Sequence, residues 1–280
     1  MTIVYCIFSL APPHGMQRAL TVKANYLADV AGHSIHVVTR CEHPELPHFA
    51  LSSKIMVHGT GRAYKEELAA LLYTIRPDLT ISLYGKESAF LYKIDDGSRK
   101  ILEFHFTRNY LVHLVRGLPH VRFRRLRLLY VRFLQYRDER YAPHYDRLVL
   151  LTEADLVLWG KPSNAVVIPN PLSFTCPEGS GLRVKRVLSV GRLIASKGFD
   201  LLIRAYSLVA IEYPDWKLTI LGEGQDRKFL QEMIRHYNLE QQVEILPPTH
   251  DIMKEMLQSS IYAAASRYEG FGLMITEAME

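Results

Sequence analysis

Short β-branched runs alternate with helix-length amphipathic stretches along this chain, and past its midpoint the alternation stops and begins again. That restart constrains the fold more than any other feature. The first set of strand-like runs is Ile3–Phe8, Ser34–Thr39, Lys54–His58, Leu79–Leu83, Lys100–His105, Arg147–Leu151 and Ala165–Ile168, with helical patterns such as Met16–Asp29, Lys65–Ile75 and Arg122–Tyr136 between them. Pro169-Asn170-Pro171 and a polar, Gly- and Pro-containing segment to about Gly181 read as a linker. The second set is strand Val187–Val190, helix Asp200–Ala210, strand Lys217–Leu221, helix Arg227–Tyr237, strand Val243–Leu246, helix Ile252–Gln258, strand Ile261–Ala265 and a helix from about Leu273. Near-continuous apolar strands separated by helices belong in parallel sheets covered on both faces. The expectation is two doubly wound α/β domains in tandem, residues 1–170 and 183–280. In such sheets ligands sit at the carboxyl ends of the strands, so two facing domains place the default site in a cleft between them. The second set holds only four strands and stops inside a helical pattern, which reads as an incomplete domain.

Composition narrows the class. With 48% hydrophobic and 22% charged residues the chain is an ordinary folded protein. No apolar run reaches the ~18 residues of a membrane-spanning helix. The opening MTIVYCIFSLAPPHG has no Lys or Arg ahead of its apolar stretch and no small-residue cleavage site, so it reads as a first buried strand. Cys6, Cys41 and Cys176 have no metal-ligand spacing, and a sparse, odd count suits a reducing cytoplasm.

Two stretches carry chemistry. In VLSVGRLIASKGFDLL a strand ends at Val190, a bend carries Arg192 and Lys197, and Gly198 opens a helix. Two cations at a strand's carboxyl end, beside a helix N-terminus, suit a doubly charged anion such as a diphosphate. The bland alternative is a pair of solvated loop charges. In SRYEGFGLMITEAME the last strand delivers Glu269 to the same sheet edge, and Gly270 and Gly272 allow close backbone approach. A carboxylate accepts two hydrogen bonds side by side, so Glu269 and Glu277 suit vicinal diols of a hexose and a ribose. The bland alternative for these is an acid at a helix start and one exposed helical glutamate. All four charges together are much harder to obtain by accident.

Gly191-Arg192-x4-Lys197-Gly198 after one strand and Glu269-Gly270-Phe271-Gly272-x4-Glu277 after the fourth resemble glycosyltransferase family 4. The resemblance covers Arg186 to Glu280 throughout. It is weaker in the first half, through the loop after the first strand, the strand ending at His105, and VIPNPL. It implies a GT-B fold and transfer of a sugar, with retained configuration, from a nucleotide-diphosphate sugar to a glycan or lipid-linked acceptor. It further implies that Arg192 and Lys197, with Gly15, Gly272 and Leu273, hold the donor diphosphate. Glu269, with Gly270 and Phe271, would hold the transferred sugar, and Glu277 the ribose. His105 matches the family's cleft histidine, and with Glu269 forms the candidate catalytic pair; a lone histidine is otherwise more often structural. The loop APPHGMQRA has His14-Gly15 where the family often has two glycines. No metal or other cofactor is implied, the leaving diphosphate being stabilised by fixed cations. No D-x-D pair occurs, and Glu153-Ala154-Asp155 reads better as a cap, with Thr152 and Asp155 as its ends.

Eight arginines lie between Arg116 and Arg140, at 116, 122, 124, 125, 127, 132, 137 and 140. Leu126, Leu129, Tyr130, Phe133 and Leu134 form one helical stripe, and Arg124, Arg125, Arg127 and Arg132 fall off it. The stripe packs on the sheet in one reading and lies on an anionic membrane surface in another. Nucleic-acid binding is a third, but no recognition motif accompanies the charge. The expected task is sugar addition to a surface polysaccharide or glycolipid, in the cytoplasm or on the inner membrane face. Alternatives are a nucleotide-sugar epimerase or hydrolase, or an inactive sugar-nucleotide-binding remnant. A domain ending in mid-pattern is expected to be poorly stable or self-associating.

Overall fold

The computed structural model describes residues 1–43, 46–117, 123–176, 179–249 and 251–280. It divides into two compact units, residues 1–109 with 129–173, and residues 110–128 with 174–280. The segment 110–128 is thus grouped with the second sheet although it lies in the first half of the sequence.

In chain order the elements are β1 (Thr2–Ile7), α1 (Gly15–Asp29), β2 (Ser34–Thr39), β3 (Met56–Gly59), α2 (Tyr64–Ile75), β4 (Leu79–Ser82), β5 (Arg99–Phe104), α3 (Tyr110–Gly117), α4 (Arg124–Glu139), β6 (Arg147–Leu150), α5 (Glu153–Leu158) and β7 (Ala165–Val167). There follow β8 (Arg186–Val190), α6 (Phe199–Val209), β9 (Lys217–Leu221), α7 (Arg227–His236), β10 (Val243–Leu246), α8 (Ile252–Leu257), β11 (Ile261–Tyr262) and α9 (Leu273–Met279). Short 3-10 turns intervene, among them Ala195–Lys197.

The first sheet has seven strands in the order β3-β2-β1-β4-β5-β6-β7, all paired in parallel. The order reverses direction at β1 and β4, so the carboxyl ends of β1, β4 and β5 lie side by side along one edge. Ile3, Tyr5 and Ile7 alternate along β1 toward Leu20 and Ala24 of α1, which fixes the register of the buried face. The second sheet runs β10-β9-β8-β11, again parallel, and reverses at β8 and β11. Leu218 and Ile220 pack against Phe199, Ile203, Leu230 and Ile234 on one face. Leu188 and Leu221 pack against Ile252 and Met274 on the other. Both sheets therefore show the two-sided burial expected of apolar parallel strands.

Three elements differ from expectation. The strand begun at Lys54 starts at Met56, because Ile55 closes a turn onto the Ser52 carbonyl and Ser52 N–H is held by Asn25 Oδ1 at 2.8 Å. The strand expected to reach Ala265 ends at Tyr262; one more ladder bond, Ala263 N–H to Leu188 O, forms before the chain leaves the sheet. The stripe on α4 does not pack on the sheet. Val131 is buried and Leu128, Leu134 and Gln135 are partly buried, whereas Leu126, Leu129, Tyr130 and Phe133 are each more than 60% exposed. Arg122 and the side chains of Arg116, Arg124 and Asp138 lie outside the described residues. The cap read at Thr152 is present, its side chain accepting the Asp155 N–H at 3.1 Å.

Candidate functional site

Within the second unit, the carboxyl ends of β8 and β11 meet at the switch point of the sheet. After Val190 the chain passes exposed Arg192 and the turn Ala195–Lys197, then reaches Gly198 in the left-handed region, φ +67°. A Cβ at Gly198 would stand 1.9 Å from the Ala265 carbonyl oxygen, so only glycine lets the two loops cross. The crossing brings together side chains 72 residues apart: Lys197 Nζ donates to Glu269 Oε1 at 2.6 Å, and Ser266 Oγ donates to the same oxygen at 2.6 Å. Arg267 spans the same loops, its guanidinium meeting both carboxylate oxygens of Asp200 at 2.8 and 2.6 Å. That ion pair holds the Asp200 carboxyl below the usual range, chiefly through the guanidinium hydrogen bond. Exposed Arg192, which has no ion pair among the described residues, and Lys197, paired with Glu269, equip this edge to take an anion and to present a carboxylate to hydroxyls.

The following loop leads into α9. Gly272 has φ +81° and is buried, Leu273 is buried, and Gly270 and Phe271 are partly exposed. Glu277 is not an exposed helical glutamate: it is only 2% exposed, one turn beyond Leu273 on the inward face of α9. Burial raises the Tyr262 phenol strongly, and the nearby charges of Glu269 and Glu277 raise it further. Tyr268, beside Glu269, stacks on His113 of α3 with ring centroids 5.3 Å apart. Sequence reasoning missed Ser266, Asp200 and this stack. Asp200 left a signal, as an acid in the first turn right after Lys197-Gly198.

In the first unit, Gly15 opens α1 behind the loop from β1, and His105 directly follows β5, so both lie on the carboxyl edge of that sheet. A Cβ at Gly15 would meet nothing within 4 Å, so packing inside the chain does not demand glycine there. The His105 side chain is nearly buried. Its Nε2 lies 3.0 Å from Glu103 Oε1, at an angle short of a linear hydrogen bond. Glu103 also receives Lys23 of α1. Burial would raise the Glu103 carboxyl, but His105 and Lys23 together overcome it and hold the group at about 2. Glu103 is an acid in an apolar strand two residues before a histidine, hence on the same face, and that spacing was the readable sign.

Among the described residues, no group of three or more His, Cys, Asp or Glu is arranged to hold a metal ion, and no helix is long and apolar enough to cross a membrane.

Residues 178–280 match the family described as glycosyl transferases group 1. An uncharacterized glycosyltransferase of Haemophilus influenzae is 37% identical over 139 residues, 48% of this chain and 39% of the relative. The amylovoran biosynthesis glycosyltransferase AmsD of Erwinia amylovora is 39% identical over 93 residues, 33% of this chain and 26% of the relative. These matches therefore span less than half the length of either relative. Among solved structures, the S. aureus TarM G117R mutant in complex with fondaparinux, alpha-GlcNAc-glycerol and UDP superposes with a TM-score of 0.76 at 13% identity, over 99% of this chain and 83% of that one. WaaG, a glycosyltransferase involved in lipopolysaccharide biosynthesis, superposes with a TM-score of 0.68 at 16% identity, over 99% and 78%. The fold is that of the GT-B glycosyltransferases.

Proposed function

We propose that this protein transfers a sugar from a nucleotide-diphosphate sugar to a glycan or lipid-linked acceptor, with retention of configuration, in the building of a surface polysaccharide or glycolipid. The observation that carries this reading is the Lys197–Glu269 contact at the β8/β11 switch point, with Arg192 beside it on the same loop. A diphosphate arriving at that edge finds two cations, and a charge-assisted contact to phosphate contributes ~1.5–3 kcal/mol each. As phosphate oxygens take Lys197, Glu269 is released to accept hydroxyls of the transferred sugar, while Gly270 and Phe271 let the backbone come close. Arg192 and Lys197, with the backbone of Gly15, Gly272 and Leu273, stabilise the charge that grows on the leaving diphosphate, and no metal is required for that. Glu277 binds the ribose. His105 donates or accepts one hydrogen bond at the sugar or acceptor, through the ring nitrogen that Glu103 does not engage. Support comes from the family match over residues 178–280 and from the glycosyltransferase names of the relatives.

The acceptor side of the reading rests on α4. Leu126, Leu129, Tyr130, Phe133 and Tyr136 are all 60% exposed or more and share one stripe of the helix. At 100° per residue Arg125 and Arg132 fall on one flank of that stripe and Arg127 on the other. An apolar stripe between rows of arginine matches an anionic bilayer surface, where each cation contributes roughly 1 kcal/mol. We therefore place the protein peripherally on the inner face of a membrane, where a lipid-linked acceptor would be met.

The test is calorimetric titration of the 280-residue protein with UDP, GDP and ADP, followed by turnover assays of the matching sugar nucleotide. Binding of one diphosphate, weakened about 10-fold or more in Lys197→Ala, is the expected result. Binding of none would set the reading aside. Turnover without any acceptor would favour an epimerase or hydrolase.

A further inference from the structure

We infer that Asp200 and Arg267 are positioning residues, a forked ion pair that sets the spacing between the loop carrying Lys197 and the loop carrying Glu269. The inference rests on the diphosphate site proposed above and goes beyond it, since neither residue is assigned a ligand there.

Arg267 is bound to the Lys197 loop from both sides. Its Nη1 and Nη2 meet Oδ1 and Oδ2 of Asp200 at 2.8 and 2.6 Å, a bidentate fork. Nη1 also donates to the Ala195 carbonyl. Its backbone N–H donates to the Ser196 carbonyl at 2.8 Å. Residues 195, 196 and 200 therefore all answer to one arginine, and Lys197 lies inside that bracket. Two residues away along the chain in one direction is Ala265, pressed under Gly198; two residues in the other is Glu269, in contact with Lys197.

Magnitude separates a positioning role from a merely stabilising one. The Asp200 and Arg267 side chains are 28% and 33% exposed. Ion pairs with that much access to water contribute ~0–1 kcal/mol to folding. A planar fork constrains direction and distance far more than it stabilises. Losing it lets the two loops drift by an ångström or so, which matters little to a core and much to a site that must meet a diphosphate and a sugar at once.

The test compares Asp200→Asn, Arg267→Gln, Arg267→Lys and the double variant Asp200→Asn/Arg267→Gln, by calorimetry with UDP and with uridine and by thermal melting. We expect UDP affinity to fall about 5-fold or more in each single variant, with uridine affinity unchanged and melting within about 2 °C of the parent. Arg267→Lys, which keeps the charge and loses the fork, should be weakened as well, and it guards against a variant that fails to fold. The double variant should be no worse than the worse single one, because each alone already removes the fork. Equal UDP binding by the parent and all variants overturns the inference and leaves the diphosphate site standing. So does a double variant whose losses add. If UDP does not bind the parent, the titrations use GDP or ADP; a parent that binds none of the three overturns both readings.

Discussion

Lys197 Nζ lies 2.6 Å from Glu269 Oε1, so the cation suited to a phosphate and the carboxylate suited to a sugar neutralise each other before any ligand arrives. Ser266 Oγ, at 2.6 Å from the same oxygen, holds the carboxylate in place. On the proposed reading, donor binding at this site would be an exchange of partners: phosphate would displace Glu269 from Lys197, and sugar hydroxyls would replace Lys197 on Glu269.

That exchange has opposite signs at its two ends. Lys197→Ala should weaken UDP binding about 10-fold or more while leaving uridine binding alone, since one charge-assisted contact is lost. Arg192→Ala should do the same. Glu269→Gln should leave UDP binding as tight as in the parent or tighter, because Lys197 is no longer engaged. Calorimetry of the three variants decides it, and a Glu269→Gln protein that binds UDP more weakly would refute the exchange.

Gly198→Ala tests the loop crossing. The new Cβ would fall 1.9 Å from the Ala265 oxygen at a residue with φ +67°, and strain of that backbone kind costs on the order of 1–3 kcal/mol before any clash is counted. The expected outcome is a melting temperature lowered by several degrees together with loss of UDP binding. A variant that melts and binds as the parent does would show that the loops separate freely.

The exposed stripe of α4 predicts vesicle binding. Reversing Arg125, Arg127 and Arg132 to Glu should abolish co-sedimentation with vesicles rich in phosphatidylglycerol, and raised salt should weaken the parent, because surface charge is screened within about 10 Å at 0.1 M. Leu129→Ser with Phe133→Ser should weaken binding without changing its salt dependence. Equal sedimentation of parent and charge-reversed proteins, or none by either, removes the membrane reading.

Glu103 predicts acid sensitivity. Its carboxyl is held near 2 against an ordinary value of 4.5, so the stability it supplies is complete above about 4.5 and is lost as pH falls from there toward 2. A shift of that size corresponds to on the order of 3 kcal/mol. Glu103→Gln should be less stable than the parent at pH 7 and should lose less on acidification. Thermal melts between pH 7 and 3 check both, and parallel curves for the two proteins would contradict the assignment.

Much of this was legible from residue order. Nine of the strands and five of the helices could be placed to within a residue at each end, because apolar β-branched runs and 3.6-residue periodicity are local properties. The two glycine-bearing motifs announced the carboxyl edge of the second sheet. Helix α4 shows where that logic stops. Leu128, Val131 and Leu134 make one apolar face, Leu126, Leu129, Tyr130 and Phe133 make another, and a helix with two candidate faces gives no local reason to bury either. The fold covered the first, Val131 almost fully and Leu128 and Leu134 in part, and left the second in solvent.

The sequence by itself determined the tandem parallel units and the residue types able to grip a diphosphate and a sugar. Only the tertiary structure decided which of those residues meet. Lys197 with Glu269, Arg267 with Asp200, and Lys23 with Glu103 are 72, 67 and 80 positions apart. Their encounters depend on β8 lying beside β11 and on α1 packing against β1, two strands from β5 in the first sheet. Those adjacencies are set by burial of whole faces, a property of the assembled sheet that no short stretch of residues contains.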